Sequence, residues 1–200
     1  GALQNNTTGS YNAAHGQFAL LSNTTGGWNT ASGQGALQNN TTGNYNTANG
    51  IYALTLNTTG AMNTTCGANA LSANTTGSNN TGIGVNAGLY TTTGSNNTYI
   101  GNGASGTYNL SNASAIGTGA SVSASNTMVL GDPGDNLFSV CIGRNHSASG
   151  YKLSVAGKVI CEELKVQLVT SWPDYVFDKK YHLMPIDELA KSIEQEKHLP

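Results

Sequence analysis

The chain has 200 residues, a formal net charge of −2 and only 9% charged residues, so neither a nucleic-acid-binding surface nor a polybasic membrane surface is expected. Residues 1–131 contain no Asp, Glu, Lys, Arg or Pro, and every charged side chain follows Gly131. Carboxylate catalysis, a carboxylate metal site and a phosphate-binding lysine are therefore excluded from that stretch. No apolar run reaches the ~18 residues of a transmembrane helix, so we expect no membrane insertion.

A repeat with a period of 17 residues occupies the first half of the chain. The tetrapeptide Asn-Thr-Thr-Gly begins at Asn6, Asn23, Asn40, Asn57 and Asn74, and a Thr-Thr-Thr-Gly variant begins at Thr91. Seventeen residues are too few for the helix pairs of helical repeats, and Gly, Asn and Thr disfavour helix. The repeat predicts an all-β parallel solenoid whose coils rise by about 4.8 Å, with glycines at the corners where φ is positive.

Two kinds of column in the repeat predict what faces inward. Adjacent Ala and Leu columns predict a thin core. An Asn column with the same period predicts an internal amide ladder, because a buried amide has to hydrogen-bond to the coils above and below. The predicted ladder comprises Asn12, Asn29, Asn46, Asn63, Asn80 and Asn97.

The Asn-Thr-Thr-Gly tetrapeptide also matches the pattern of N-glycosylation acceptors. Its strict column favours a structural turn or ladder role for the Asn instead. The two Thr residues of each pair are expected to point to opposite faces of the coil.

The residue before each ladder Asn is bulky in the early coils and polar in the later ones, so it is expected to face outward or to meet a partner chain. Its aromatic members, Tyr11, Trp28 and Tyr45, are candidate surface aromatics. They could form an aromatic stripe for sugars, but packing in a trimer or a role as scattered surface aromatics is the favoured interpretation. His15 and Cys66 share a column with Ile83, which indicates a tolerant position rather than a site. We predict no catalytic residue, no cofactor and no metal site.

Beyond the sixth coil the repeat shortens. Ile-Gly pairs at Ile83, Ile100 and Ile116, followed by Leu130-Gly131, are 17, 16 and then 14 residues apart. The segments 114–120 and 125–131 resemble the head repeats of trimeric autotransporter adhesins. The resemblance covers residues 78–131 and is looser over residues 1–77. It implies a left-handed parallel β-roll in which three chains pack about a threefold axis.

The first charged residue and the first proline both follow directly after Gly131, and we divide the chain there. Residues 1–131 are predicted as the solenoid, residues 132–170 as a β junction of strands and a hairpin, and residues 171–200 as a Trp-Pro-Asp-Tyr module with a C-terminal amphipathic helix. In the junction, a turn at 132–135 precedes strands over 137–142, 151–155 and 158–161, with a tight turn before the last. The helix is predicted from Pro185, with an apolar stripe formed by Ile186, Leu189, Ala190 and Ile193.

The three cysteines do not have the spacing of a metal site. We expect Cys66, Cys141 and Cys161 to be free thiols, with a Cys141–Cys161 bridge as the alternative.

The C-terminal region carries a second resemblance. The sequence Lys-Leu-Ser-Val-Ala-Gly-Lys-Val at 152–159 resembles a junction found in bacterial and phage tail-fibre-like proteins. Residues 172–177, together with the predicted helix, are similar to a C-terminal module of secreted fibre proteins in Gram-negative bacteria.

These observations predict a structural segment of an extracellular homotrimeric fibre or adhesin, on a cell surface or a virion-like particle. Its partners would be two further copies of itself and a surface glycan or receptor. Lateral association would add burial that an Ala–Leu core lacks and would cover strand edges. The alternatives are a phage or contractile-injection tail fibre, a subunit of a head-to-tail filament, and an ice- or surface-binding solenoid with Thr columns. Enzymatic activity is not expected, since glycan hydrolysis needs two carboxylates.

Overall fold

The structure is a computed structural model that describes residues 1–134, 139–142, 152–156, 158–159 and 194. The chain forms two compact units, Gly1–Gly157 and Lys158–Pro200. The three-part division with boundaries after residues 131 and 170 stays a prediction.

The described part of the first unit is all-β, which confirms the predicted parallel β-solenoid. Eight short strands form one parallel sheet in the order β1-β2-β3-β4-β5-β6-β8-β10, with one strand from each coil. Strands β7 and β9 form a second small sheet, and β11 and β12 a third. The strands are β1 Ala13–His15, β2 Thr30–Ser32, β3 Thr47–Asn49, β4 Thr64–Cys66, β5 Thr81–Ile83, β6 Thr98–Ile100, β7 Ser105–Gly106, β8 Ser114–Ile116, β9 Ser121–Val122, β10 Met128–Leu130, β11 Val140–Ile142 and β12 Leu153–Val155.

The register of the large sheet follows the period of the sequence. Ile83 is paired with Ile100, Ile100 with Ile116 and Ile116 with Leu130. The strands therefore stay aligned although the coils shorten from 17 to 16 and then 14 residues. The deleted residues come from the turns, because a one-residue slip within a strand would move every side chain to the opposite face.

The core is one thin row of small and aliphatic side chains. The Ala and Leu columns are fully buried in the regular coils, and the middle residue of each strand also points inward. These buried columns include Ala19, Leu20, Ala36, Leu37, Ala53, Leu54, Ala70 and Leu71. Both columns are thus in the core.

Tyr99 is the one large aromatic side chain in this core within the described residues. Gly88 occupies the Leu column of the neighbouring coil, and a Cβ there would lie 2.6 Å from the Tyr99 ring. The missing Leu side chain therefore provides the space that the Tyr99 ring fills. Burial raises the pKa of Tyr99.

The coil corners differ from the expectation that glycines supply them. Each regular coil has four residues with positive φ. Only the residue directly after the strand of the large sheet, such as Gly33 after β2 or Gly50 after β3, is always glycine. The other three corners include Leu37 at 51°, Trp28 at 56° and Tyr52 at 55°. The left-handed conformation costs a non-glycine residue roughly 1–2 kcal/mol. Hydrogen bonds between coils hold these residues there: the Leu37 amide donates to the Ala53 carbonyl at 3.0 Å, and the Trp28 amide to the Ser10 carbonyl at 3.0 Å.

Met62→Asn should stabilise the solenoid by about 0.5–1 kcal/mol, because Asn adopts positive φ more readily than Met. Met62 has a φ of 59° and an exposed side chain, and Asn79 occupies the same column one coil later. The urea midpoint of the variant measures the effect. Met62→Ala is the control, since Ala removes the apolar side chain but keeps the strain. Equal midpoints for the two variants would contradict the prediction.

The described junction residues confirm the predicted turn, whereas the predicted hairpin includes residues 157, 160 and 161, which lie outside the described residues, and stays a prediction. The Gly134 amide donates to the Asp132 carboxylate at 2.8 Å and closes the turn. Strand β12 pairs in parallel with β11, whereas Lys158 and Val159 lie in no strand. The rest of the 158–161 segment and the C-terminal helix lie outside the described residues, except Glu194, which is helical and exposed.

Candidate functional site

The predicted Asn ladder lies inside the solenoid and links successive coils. In the middle of the ladder, the Asn46 side-chain nitrogen donates to the Gly60 carbonyl at 2.8 Å and to Asn29 Oδ1 at 3.2 Å. Asn46 Oδ1 accepts from the Asn63 backbone amide at 3.0 Å. Each central amide therefore bonds to the coils on both sides. The ladder ends where Asn97 Oδ1 accepts from the backbone amide of Ala113.

The Asn residues of the Asn-Thr-Thr-Gly tetrapeptide form a second ladder. The Asn40 side-chain nitrogen donates to Asn23 Oδ1 at 2.8 Å and to the Gly43 carbonyl at 3.0 Å. Asn57 and Asn74 repeat the first bond at 2.8 Å. These amides from the second coil onward are fully buried, so their nitrogens are not accessible for glycosylation. The column ends at Thr91, whose buried hydroxyl has no partner among the described residues.

The Thr pairs divide between the interior and the surface. The first Thr is half-buried, and its hydroxyl donates to the carbonyl of its counterpart one coil on, as Thr24 does to Thr41 at 3.0 Å. The second Thr, such as Thr25, is exposed. The ladders and the inner Thr column therefore hold the coils together.

The candidate surface aromatics are exposed and form a continuous stack. The ring centroids of Tyr11 and Trp28 are 5.2 Å apart and those of Trp28 and Tyr45 are 5.1 Å apart, with nearly parallel planes. Each inner ring face is therefore covered by its neighbour, and the ring edges face solvent. A sugar stacks on an open ring face, so this geometry favours a structural role, in which each pair adds about 0.5–1.5 kcal/mol.

The outer face of the large sheet carries a continuous apolar column, which we call the aliphatic stripe: Ile83, Ile100, Ile116 and Leu130. Ile83 is 42% exposed, Ile100 37% and Leu130 44%, and the four residues occupy adjacent strands in register. Exposed apolar patches of this kind mark interaction sites. The Ile-Gly pairs were visible in the sequence, but the burial of each strand's middle residue was needed to show that the Ile side chains face outward.

The first four coils continue the column of the aliphatic stripe with polar residues. It holds His15, Ser32, Asn49 and Cys66, and all four are exposed. Cys66 and Cys141 are free thiols, whereas Cys161 lies outside the described residues. The large sheet thus presents a polar outer column at its N-terminal end and an apolar one at its C-terminal end.

Among the residues that the structure describes, no cluster of three or more His, Cys, Asp or Glu could hold a metal ion. That same part of the chain contains no helix long and apolar enough to span a membrane. No protein-family model, curated protein or solved structure matches the chain.

Proposed function

We propose that this chain is a structural segment of an extracellular homotrimeric fibre or adhesin, which presents a binding surface away from a cell or particle. The aliphatic stripe is the observation that carries the proposal. It supplies an apolar face on the outside of a rigid stack, where a second copy of the same chain would bury it. The resemblance of residues 78–131 to trimeric adhesin head repeats supports the same assembly.

Three properties of the solenoid favour association through this face. The aliphatic side chains lie in register, so their burial would gain roughly 25 cal/mol for each Å² removed from water. Residues 1–131 contain no Asp, Glu, Lys or Arg, so identical faces approach without repulsion between such side chains. The thin core leaves a single chain with little buried apolar area, which lateral packing would increase.

Light scattering after size exclusion tests this assembly on the full chain. We expect a mass of three times the 20.5 kDa subunit. The combined change Ile83→Ser, Ile100→Ser and Ile116→Ser should reduce it to the mass of one chain, because the apolar contact is lost. The solenoid itself should persist, since Ser32 already occupies the same outward column in β2.

Leu56→Ser is the matched control, because Leu56 is 46% exposed but lies in a turn away from the aliphatic stripe. It should leave the mass unchanged. A wild-type monomer would overturn the proposal and favour a surface-binding solenoid, with the exposed Thr column of Thr30, Thr47 and Thr64 as its test surface. A three-chain mass that persists in the triple variant would remove the aliphatic stripe as its cause.

A further inference from the structure

A pocket of about 260 Å³ opens on the solenoid beside the small sheet of β7 and β9. Tyr90 and Tyr108 form its aromatic walls, and Ser105, Thr107, Ser121 and the backbone of Gly106 complete it. It forms where the 17-residue repeat first shortens and the chain takes a new path through residues 105–108. Its volume is near the lower end of the ~300–1,000 Å³ of small-molecule sites, so it suits one ring rather than a chain of rings.

The two tyrosines differ from the aromatic stack of the first coils because at most one of their ring faces is covered by the other tyrosine. Their centroids are 5.9 Å apart and their planes meet at 61°, so the rings touch edge to face. Tyr90 is 48% exposed and Tyr108 65%. The column of Tyr90 holds Ser22, Asn39, Leu56 and Ala73 in the preceding coils, so this aromatic ring is particular to this coil.

The polar side of the pocket consists of hydroxyl groups. Within the described part of the chain, the side chains of Ser105, Thr107 and Ser121 have no hydrogen-bond partner. A hydroxyl can both donate and accept a hydrogen bond, so each of the three groups can donate to or accept from a hydroxyl group of a ligand. No Asp, Glu, Lys or Arg lines the pocket, which disfavours a charged ligand.

We propose that this pocket binds a single neutral pyranose ring, as a terminal hexose of a glycan would present it. The apolar C–H face of the sugar packs on the Tyr90 or Tyr108 ring, and the sugar hydroxyls bond to Ser105, Thr107 and Ser121. A site for one such ring, without charge pairing, should bind with a dissociation constant of about 1–10 mM. The pocket borders a different sheet from the one that carries the aliphatic stripe.

Saturation-transfer NMR on the full chain tests the site with the methyl glycosides of glucose, galactose and mannose. We expect transfer to the ring protons of at least one of them. Tyr90→Ala combined with Tyr108→Ala should weaken binding at least tenfold. Tyr90→Phe should retain binding, because the ring face remains.

Tyr52→Ala is the matched control, because Tyr52 is 42% exposed on another coil and lies outside the pocket. It should leave the transfer unchanged, and circular dichroism should show that every variant keeps its β structure. The inference is overturned by absence of transfer to all three glycosides, by equal loss in the Tyr52 variant, or by equal transfer to glycerol. Because the chain mass is measured separately, these outcomes leave the fibre proposal intact.

Discussion

Asn46→Asp should destabilise the solenoid at neutral pH by about 3–5 kcal/mol, although the two side chains have nearly the same shape. The Asn46 side-chain nitrogen donates to the Gly60 carbonyl and to Asn29 Oδ1, and a carboxylate oxygen there would face both acceptors without a proton. The side chain is fully buried, and residues 1–131 offer no Lys or Arg to pair with it. Urea denaturation at pH 7 measures the loss.

The same variant should regain stability in acid. Burial raises the pKa of the introduced carboxyl group in the folded chain above its unfolded value of about 3.9. The folded state therefore binds the proton more tightly, and the penalty is full above the folded-state pKa. It shrinks as the pH falls below that pKa and levels off below about 3.9, where the unfolded state also becomes protonated. The single O–H of the protonated side chain can donate to only one of the two acceptors, so the recovery is incomplete. The wild-type chain has an amide at this position and should not show this recovery.

Asn79→Asp is the control for both measurements. Asn79 adjoins the ladder residue Asn80, but its side chain is exposed, and Asp tolerates its φ of 59°. Its free energy of unfolding, obtained from urea denaturation, should stay within about 0.5 kcal/mol of the wild-type value. A similar loss in both Asp variants would mean that added negative charge, rather than the buried ladder, determines the result.

Gly50→Ala should cost about 3–5 kcal/mol, because it combines a left-handed backbone with a collision between coils. Gly50 has a φ of 144°, and a Cβ there would lie 2.3 Å from the carbonyl oxygen of Gly67. That contact is with backbone, which cannot move without breaking the stack. The Gly50 amide also donates to the Ser32 carbonyl of the preceding coil at 2.8 Å, so Gly50 cannot shift away from Gly67 without losing this hydrogen bond. The urea midpoint again measures the change.

Gly103→Ala separates the two contributions. Its φ of 66° is also left-handed, but no heavy atom lies within 4 Å of the added Cβ. It should cost only about 1–2 kcal/mol from backbone strain. Equal losses at the two glycines would show that backbone strain alone matters and that the close approach of Gly50 to Gly67 does not.

Much of the fold could be predicted because a constant period constrains each coil to the same shape. The 17-residue spacing indicated stacked parallel strands, and the Ala and Leu columns indicated the core. The Asn12 column was predictable as an internal ladder because an amide that recurs in every coil of a charge-free stack has to find partners in the neighbouring coils.

Other features depended on contacts that no single coil contains. The left-handed conformation of Leu37 and Trp28 contradicts their local preference, and hydrogen bonds to adjacent coils impose it. Gly88 replaces the Leu of the preceding coils, but the sequence does not show why. The structure gives the reason, because the Tyr99 ring occupies the space that a side chain at position 88 would need. Likewise, nothing in the spacing of Tyr90 and Tyr108 showed that they share one pocket.

The residue pattern alone was sufficient to derive the parallel solenoid, its period, its core columns and the exclusion of charge from residues 1–131. Each of these properties repeats from coil to coil, so it can be recognised in the sequence as a column with a constant period. The three-dimensional structure was needed to establish the corner conformations, the outward direction of the aliphatic stripe and the tyrosine pocket. Those features arise where neighbouring coils differ in sequence or are in close contact. The energy of such contacts depends on the distances between atoms in space rather than on spacing along the chain.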